Sequence, residues 1–178
     1  MSLRERQYQS SPLPTIAAGA FGAFAVRPLL KRALLFKLNR DVRALNAGDY
    51  RPLLAGYADD AVLVFNDGPH RWAGVHRGKP ALERFFKDFV DARVQGEIVE
   101  LFVVGPPWAL TLLVRFDDHA HSEDGEQLYR NRTLLLVRSR WGKIVEQEDF
   151  YEDTERIAVL DRHLTELGVT PAPVASAA

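Results

Sequence analysis

The chain has no cysteine and one methionine in 178 residues. Without thiols, a disulfide framework, a thiolate nucleophile, an iron–sulfur cluster and cysteine-ligated zinc are all excluded. An excess of charge of one sign is also missing. Lys and Arg number 23 against 24 Asp and Glu, a formal net charge of -1. That is not the basic balance a phosphate-backbone binder needs, so nucleic acid is not an expected partner. No apolar run reaches the length of about 20 residues that a membrane span requires. The apolar stretch Thr15–Val26 (TIAAGAFGAFAV), preceded by Arg4 and Arg6 and followed by Arg27, has the length of a signal-peptide core. Glu5, Pro12 and Pro14 precede it and no A-x-A site follows, which argues against export and for a cytoplasmic location. There is no G-x-G-x-x-G, P-loop, H-E-x-x-H, G-x-S-x-G or EF-hand loop, so no cofactor and no metal are expected.

What is present is globular. Hydrophobic residues make up 47% and charged residues 26%, and the length suits one domain. Residues 1–27 carry little secondary-structure signal and read as an extension, poorly structured or docked on a partner. Residues 28–168 read as the domain, and residues 169–178, ending in PAPVASAA, as a disordered tail. Leu29, Leu30, Ala33, Leu34, Leu38, Val42 and Leu45 recur at helical steps, with Pro28 suited to a first turn and Asn46–Gly48 to a stop. A short helix follows from Asp49 to about Tyr57, then strands at 61–65 and 71–75. Lys79 to about Arg93 is amphipathic. Four strand-like runs come next: 95–104, 108–116, 127–137 and 143–151, with the polar stretch Asp117–Gly125 as a hairpin loop. Asp153 or Thr154 caps a last helix that Gly168 ends. The order αα-ββ-α-ββββ-α predicts an α+β fold with helices on a curved, mainly antiparallel sheet.

Several stretches carry a family likeness. They are Ala47–Tyr50 running into Tyr57–Val62, Trp72–Leu82 (WAGVHRGKPAL), and Trp141–Ile144 followed by Asp149–Asp153. Together they resemble the nuclear transport factor 2-like (NTF2-like) superfamily, over roughly residues 35–165. The resemblance implies a cone-shaped fold and a small apolar ligand or substrate in the cone. It also implies cofactor-independent chemistry of the SnoaL-like or ketosteroid-isomerase-like kind, and a homodimer formed through the outer face of the sheet. Apolar residues on both faces of the 110–114 stretch support that last expectation.

The sharpest candidate constellation is Arg115, Asp117 and Asp149. Strand alternation puts Arg115 and Asp117 on one face, and Asp149 two strands on can face the same cavity. Two carboxylates bridged by a guanidinium form an acid–base set. The pattern is similar to the Asp–Arg–Asp arrangement of limonene epoxide hydrolase, which would make Asp149 the base, Asp117 the acid and Arg115 the bridge. For isomerase-type chemistry the phenols are Tyr57, Tyr129 and Tyr151, with Asp117 or Asp149 as the carboxylate. Phe65, Asn66, Trp72, Phe86, Tyr129, Asn131 and Tyr151 are the expected substrate-binding residues. His119 and His121 form H-x-H inside an acidic stretch that reads as a solvated loop. A third expectation is a non-catalytic binding or scaffolding module on the same fold.

Overall fold

The computed structural model describes residues 19–173. Four helices and six strands follow one another in the chain: α1 (Gly19–Asn46), α2 (Arg51–Leu54), β1 (Tyr57–Phe65), β2 (Gly74–Arg77), α3 (Lys79–Asp91), β3 (Gln95–Val104), β4 (Thr111–His121), β5 (Gln127–Arg140), β6 (Lys143–Tyr151) and α4 (Thr154–Glu166). The strands form one open sheet in the order β2-β1-β6-β5-β4-β3. Only β1 and β6 run parallel; the other neighbours are antiparallel, as the α+β expectation requires.

Local chemistry accounts for the elements. Along α3, Leu82, Phe85, Phe86 and Phe89 recur at three- and four-residue steps and are all buried. Asp153 caps α4 by accepting from the backbone N–H of Glu155 and Arg156. β4 and β5 alternate: Leu112, Val114 and Ala120 are buried on β4, and Tyr129, Asn131, Thr133 and Val137 on β5. Two apolar clusters result. One joins α3 and α4 to β1, around Phe65, Trp72, Phe85 and Leu160. The other lies under α1, where Leu30, Leu34, Leu35 and Leu38 pack on Leu101, Leu112, Val114 and Val137.

Four expectations need correction. Helix α1 begins at Gly19, so Pro28 lies inside it rather than in its first turn. The extension expected over residues 1–27 falls outside the described residues as far as residue 18. Asp49 does not cap α2; Tyr50 is the N-cap, while Asp49 Oδ1 accepts from the Arg51 N–H and side chain. Tyr57 opens β1 instead of closing that helix.

The third correction is the largest. Asp117–His121 is strand, not loop, because Gln95–Glu97 on one side and Gln127–Arg132 on the other supply ladder partners. Pairing across the sheet overrides a local composition that is poor for strands. The fourth concerns the tail, whose first residues are tied down. Val169 O accepts from Arg71 Nη2 (2.8 Å), and Ala172 N donates to Asp88 Oδ1 (2.6 Å).

Candidate active site

Between the two apolar clusters, on the concave side of the sheet, lies a cavity of about 100 Å³. Helices contribute Leu38, Val42, Leu45 and Leu53 and the phenylalanines of α3, and the sheet contributes Leu112, Val114, Leu135 and Val137. Tyr57, Gln147, Asp149 and Tyr151 form its polar edge, three of them at alternate positions of β6. Tyr57 donates a short hydrogen bond to Gln147 Oε1, and Gln147 Nε2 donates to Asp149 Oδ1 at 2.8 Å. The phenol, the amide and the carboxyl thus form a directed chain that ends at Asp149. Among the described residues that is Asp149's only side-chain hydrogen bond, and no cation is paired with it.

A second carboxyl lies further along the same inner face. Asp118 on β4 sits opposite Asn131 and is 1% exposed. Its Oδ2 accepts from Tyr129 Oη (3.0 Å) and Tyr151 Oη (3.1 Å), while its Oδ1 is buried without a partner. Tyr151 therefore connects the cavity edge to this inner carboxyl.

Burial governs the protonation of both acids. Desolvation pushes Asp149 up to about 7; the Gln147 hydrogen bond pulls against it, and the charges of Asp118 and Glu148 add to it. Asp118 is raised to about 6, again chiefly by burial, with the Tyr129 and Tyr151 hydrogen bonds opposing. The phenols of Tyr57 and Tyr151 are held well above their ordinary value by burial, so they stay protonated and act as donors. A carboxyl that titrates near neutrality against an apolar wall is equipped to take a proton from a bound molecule and return it.

The expected three-residue set is not brought together. Arg115 and Asp117 do share a face, with Nε 3.5 Å from Oδ1, but it is the convex one. They lie in a surface crevice with Arg130, Arg132, Glu152 and Arg156. Asp149 faces the cavity on the other side of the sheet. Leu112 and Val114 are the buried positions of β4, so even-numbered residues point inward, and the inward acid is Asp118 rather than Asp117.

Of the expected binding residues, Phe86 and Tyr151 line the cavity. Phe65 is buried behind it, its ring 4.8 Å from that of Tyr151. Trp72 is fully buried in the core against Phe89. Asn66 reaches His70 at 3.3 Å instead of the cavity. Tyr129 binds Asp118, and Asn131 donates to the Asp153 carbonyl at 2.6 Å. His119 and His121 do face one way, with ring centroids 5.2 Å apart, but on a strand. No third metal-ligating side chain joins them among the described residues. Sequence reasoning missed Gln147 and Asp118. Gln147-x-Asp149-x-Tyr151 on one strand was the available signal for the first. The alternation of Leu112, Val114 and Phe116, carried two residues further, was the signal for the second.

An open six-stranded sheet, curved around a cavity closed by helices, defines the cone of the NTF2-like superfamily, and solved structures agree. Bal32a, from a soil-derived mobile gene cassette, aligns over 71% of this chain and 92% of its own with a TM-score of 0.56 at 16% identity. A variant of Rv3472, a protein of unknown function from Mycobacterium tuberculosis, aligns over 83% and 96% with a TM-score of 0.54 at 17% identity. A putative isomerase from Bacillus subtilis aligns over 69% and 91% with a TM-score of 0.54 at 19% identity. At these identities the likeness establishes the fold. A comparison with curated proteins finds no match. The model of the SnoaL-like domain matches residues 39–147, more than half of the chain, and the chain belongs to that family.

Proposed function

We propose that the protein binds a small apolar molecule in the cone and carries out cofactor-independent acid–base chemistry on it, with Asp149 as the proton-carrying group. The observation that carries this reading is a buried carboxyl near neutral pKa on the wall of an otherwise apolar cavity. An apolar ligand fills the space between α1, α3 and the sheet, and its single polar or acidic position lies against Asp149. Ionised Asp149 removes a proton from carbon next to a carbonyl or similar activating group and returns it at the same or a neighbouring carbon, which is isomerase- or cyclase-type chemistry. Tyr57 and Gln147 orient the carboxyl through their hydrogen-bond chain.

The cavity is smaller than the ~150 Å³ that admits benzene, so small monocyclic or short-chain ketones are the substrates to try first. The same small size favours a second reading, binding without turnover. Exposed Leu113, Leu134 and Phe150 on the convex face support a homodimer formed there. The absence of cysteine fits a cytoplasmic location.

The test is proton exchange. Deuterium incorporation next to the carbonyl of small cyclic ketones, followed by NMR, should occur with the wild type and vanish with Asp149→Asn. Equal exchange by both proteins would end the assignment of Asp149. Saturable binding with no exchange by either would favour the binding module.

A further inference from the structure

One end of the molecule carries an exposed patch that the cavity chemistry does not use. The β3–β4 and β5–β6 turns lie side by side there, with Trp141 N donating to Trp108 O at 2.9 Å. Both indoles face solvent, 54% and 78% exposed, and Val104 beside them is 67% exposed. Helix α1 runs antiparallel to β3, since Asn46 bonds Gly96 at one end and Lys31 Nζ lies 5.9 Å from the Phe102 ring at the other. The same end therefore also receives the earlier part of α1, where Leu29 is 66% exposed.

Charge at this end is mainly basic: β1 also starts here, with Tyr57 opposite Ile144, and brings Asp59 and Asp60, of which Asp59 pairs with Lys79. The stretches 28–40, 101–116 and 133–145 contain no Asp or Glu. Lys31, Arg32, Arg140 and Lys143 are on them, and none has an acidic partner among the described residues. The rest of the chain therefore carries the surplus of acid that brings the net charge to -1.

Trp141 is also out of place as a turn residue. It is the first of two central residues of the β5–β6 hairpin and has φ 50, with Gly142 at φ 78. Two-residue hairpins with both φ values positive favour Asn or Asp before the Gly, and a bulky side chain there is strained. Among the described residues little packs on the indole, which is 78% exposed, to compensate. Trp141 is thus a strained, exposed residue at a turn position that asparagine fits better, and strained residues of this kind cluster at functional positions.

We infer that this end of the molecule docks on the surface of an anionic lipid bilayer. Trp108 and Trp141 enter the headgroup region, where an amphipathic indole is well accommodated, and Leu29 lies against its apolar boundary. Lys31, Arg32, Arg140 and Lys143 meet the anionic headgroups. The patch has both elements that interfacial binding adds together, apolar area and complementary charge.

The experiment uses the full chain with vesicles of phosphatidylcholine alone or with 30% phosphatidylglycerol, read by co-sedimentation and tryptophan emission. Because Trp72 is fully buried, a change in emission reports Trp108 and Trp141. Sedimentation with the anionic vesicles, a blue shift, and loss of both in 1 M NaCl are expected. Arg32→Ala with Arg140→Ala should lower partitioning roughly 30-fold. Trp108→Gln with Trp141→Asn should lower it at least about tenfold. Trp141→Asn alone should weaken partitioning while raising the thermal midpoint by about 2–4 °C, the opposite of what a structural role would give. Equal binding to both vesicle types would overturn the inference. So would binding indifferent to the tryptophans, capture of heparin but not of vesicles, or a dimer that buries the two indoles.

Discussion

Strand β6 carries two sets of acids, and the pleat decides what each becomes. Asp149 points inward to an apolar cavity, meets no cation among the described residues, and is held near neutral pKa by burial. Glu146, three residues earlier, points outward and pairs with Arg138 in water. Just beyond the strand, Glu152 does the same with Arg132, and that guanidinium lowers its pKa. The residue type is similar on both faces; desolvation brings one to titrate near neutrality and solvation makes the others members of weak ion pairs. An acid flanked by arginine therefore marks the solvated face of this sheet, and an acid flanked by Gln and Tyr marks the face that lines the cavity.

The largest expected effect is on catalysis. Asp149→Asn should reduce proton exchange by roughly 10²–10⁴-fold, the range for loss of a positioned base. In the wild type, kcat/KM should fall tenfold per pH unit below about 7 and level off above it, because only the ionised carboxyl accepts a proton. A profile that rises toward low pH would reverse the role of Asp149 from base to acid.

Next in size is the pH dependence of stability. Asp149 binds its proton more tightly folded than unfolded, so its stabilising contribution is complete below about pH 3.8 and is lost as pH rises to about 7. The loss over that window should be roughly 2–4 kcal/mol. Asp118, raised to about 6, adds a smaller loss of the same sign ending earlier. Urea unfolding at pH 4 and pH 7 should show a clearly smaller decline in Asp149→Asn than in the wild type, the remainder belonging to Asp118; an equal decline in both would place the titrating group elsewhere.

Much of the fold was legible because its signals are local. Strand-like runs bounded by Gly105-Pro106-Pro107 and Arg140-Trp141-Gly142 gave the strands 95–104 and 143–151 at their observed bounds, and the aromatic stripe that starts at Lys79 and the Asp153 cap gave two helices. The candidate site was legible at Asp149 and at the phenol of Tyr57 and, among the expected lining residues, at Phe86 and Tyr151. Arg115 and Asp117 attracted notice because charge at the end of an apolar run is conspicuous, but conspicuous charge is stable facing water. Asp118 was hidden by its neighbours: Asp117 to His121 is a polar string whose strand character comes from two partner strands distant in sequence. Gln147, uncharged, gave no electrostatic signal at all.

The orienting chain should give an intermediate effect. Gln147→Leu removes the hydrogen bond that holds Asp149 down, so the midpoint of the pH–rate profile should move upward from about 7. Tyr57 Oη is left buried without its acceptor, at a cost of about 1–3 kcal/mol in unfolding free energy. Tyr57→Phe in the same background removes that orphan and should recover part of the loss. An unmoved midpoint in Gln147→Leu would mean that the chain supports the fold without tuning the carboxyl.

The smallest effect tests the contrast between the two faces most directly. Arg115 is 3.5 Å from Asp117 on the convex side, and its side chain is 40% exposed, so the pair is loose and partly solvated. Arg115→Ala should change stability by less than about 1 kcal/mol and leave proton exchange unchanged. Catalysis lost in Arg115→Ala with the stability intact would show that the convex crevice takes part in the chemistry. The assignment of function to the concave face alone would then be wrong.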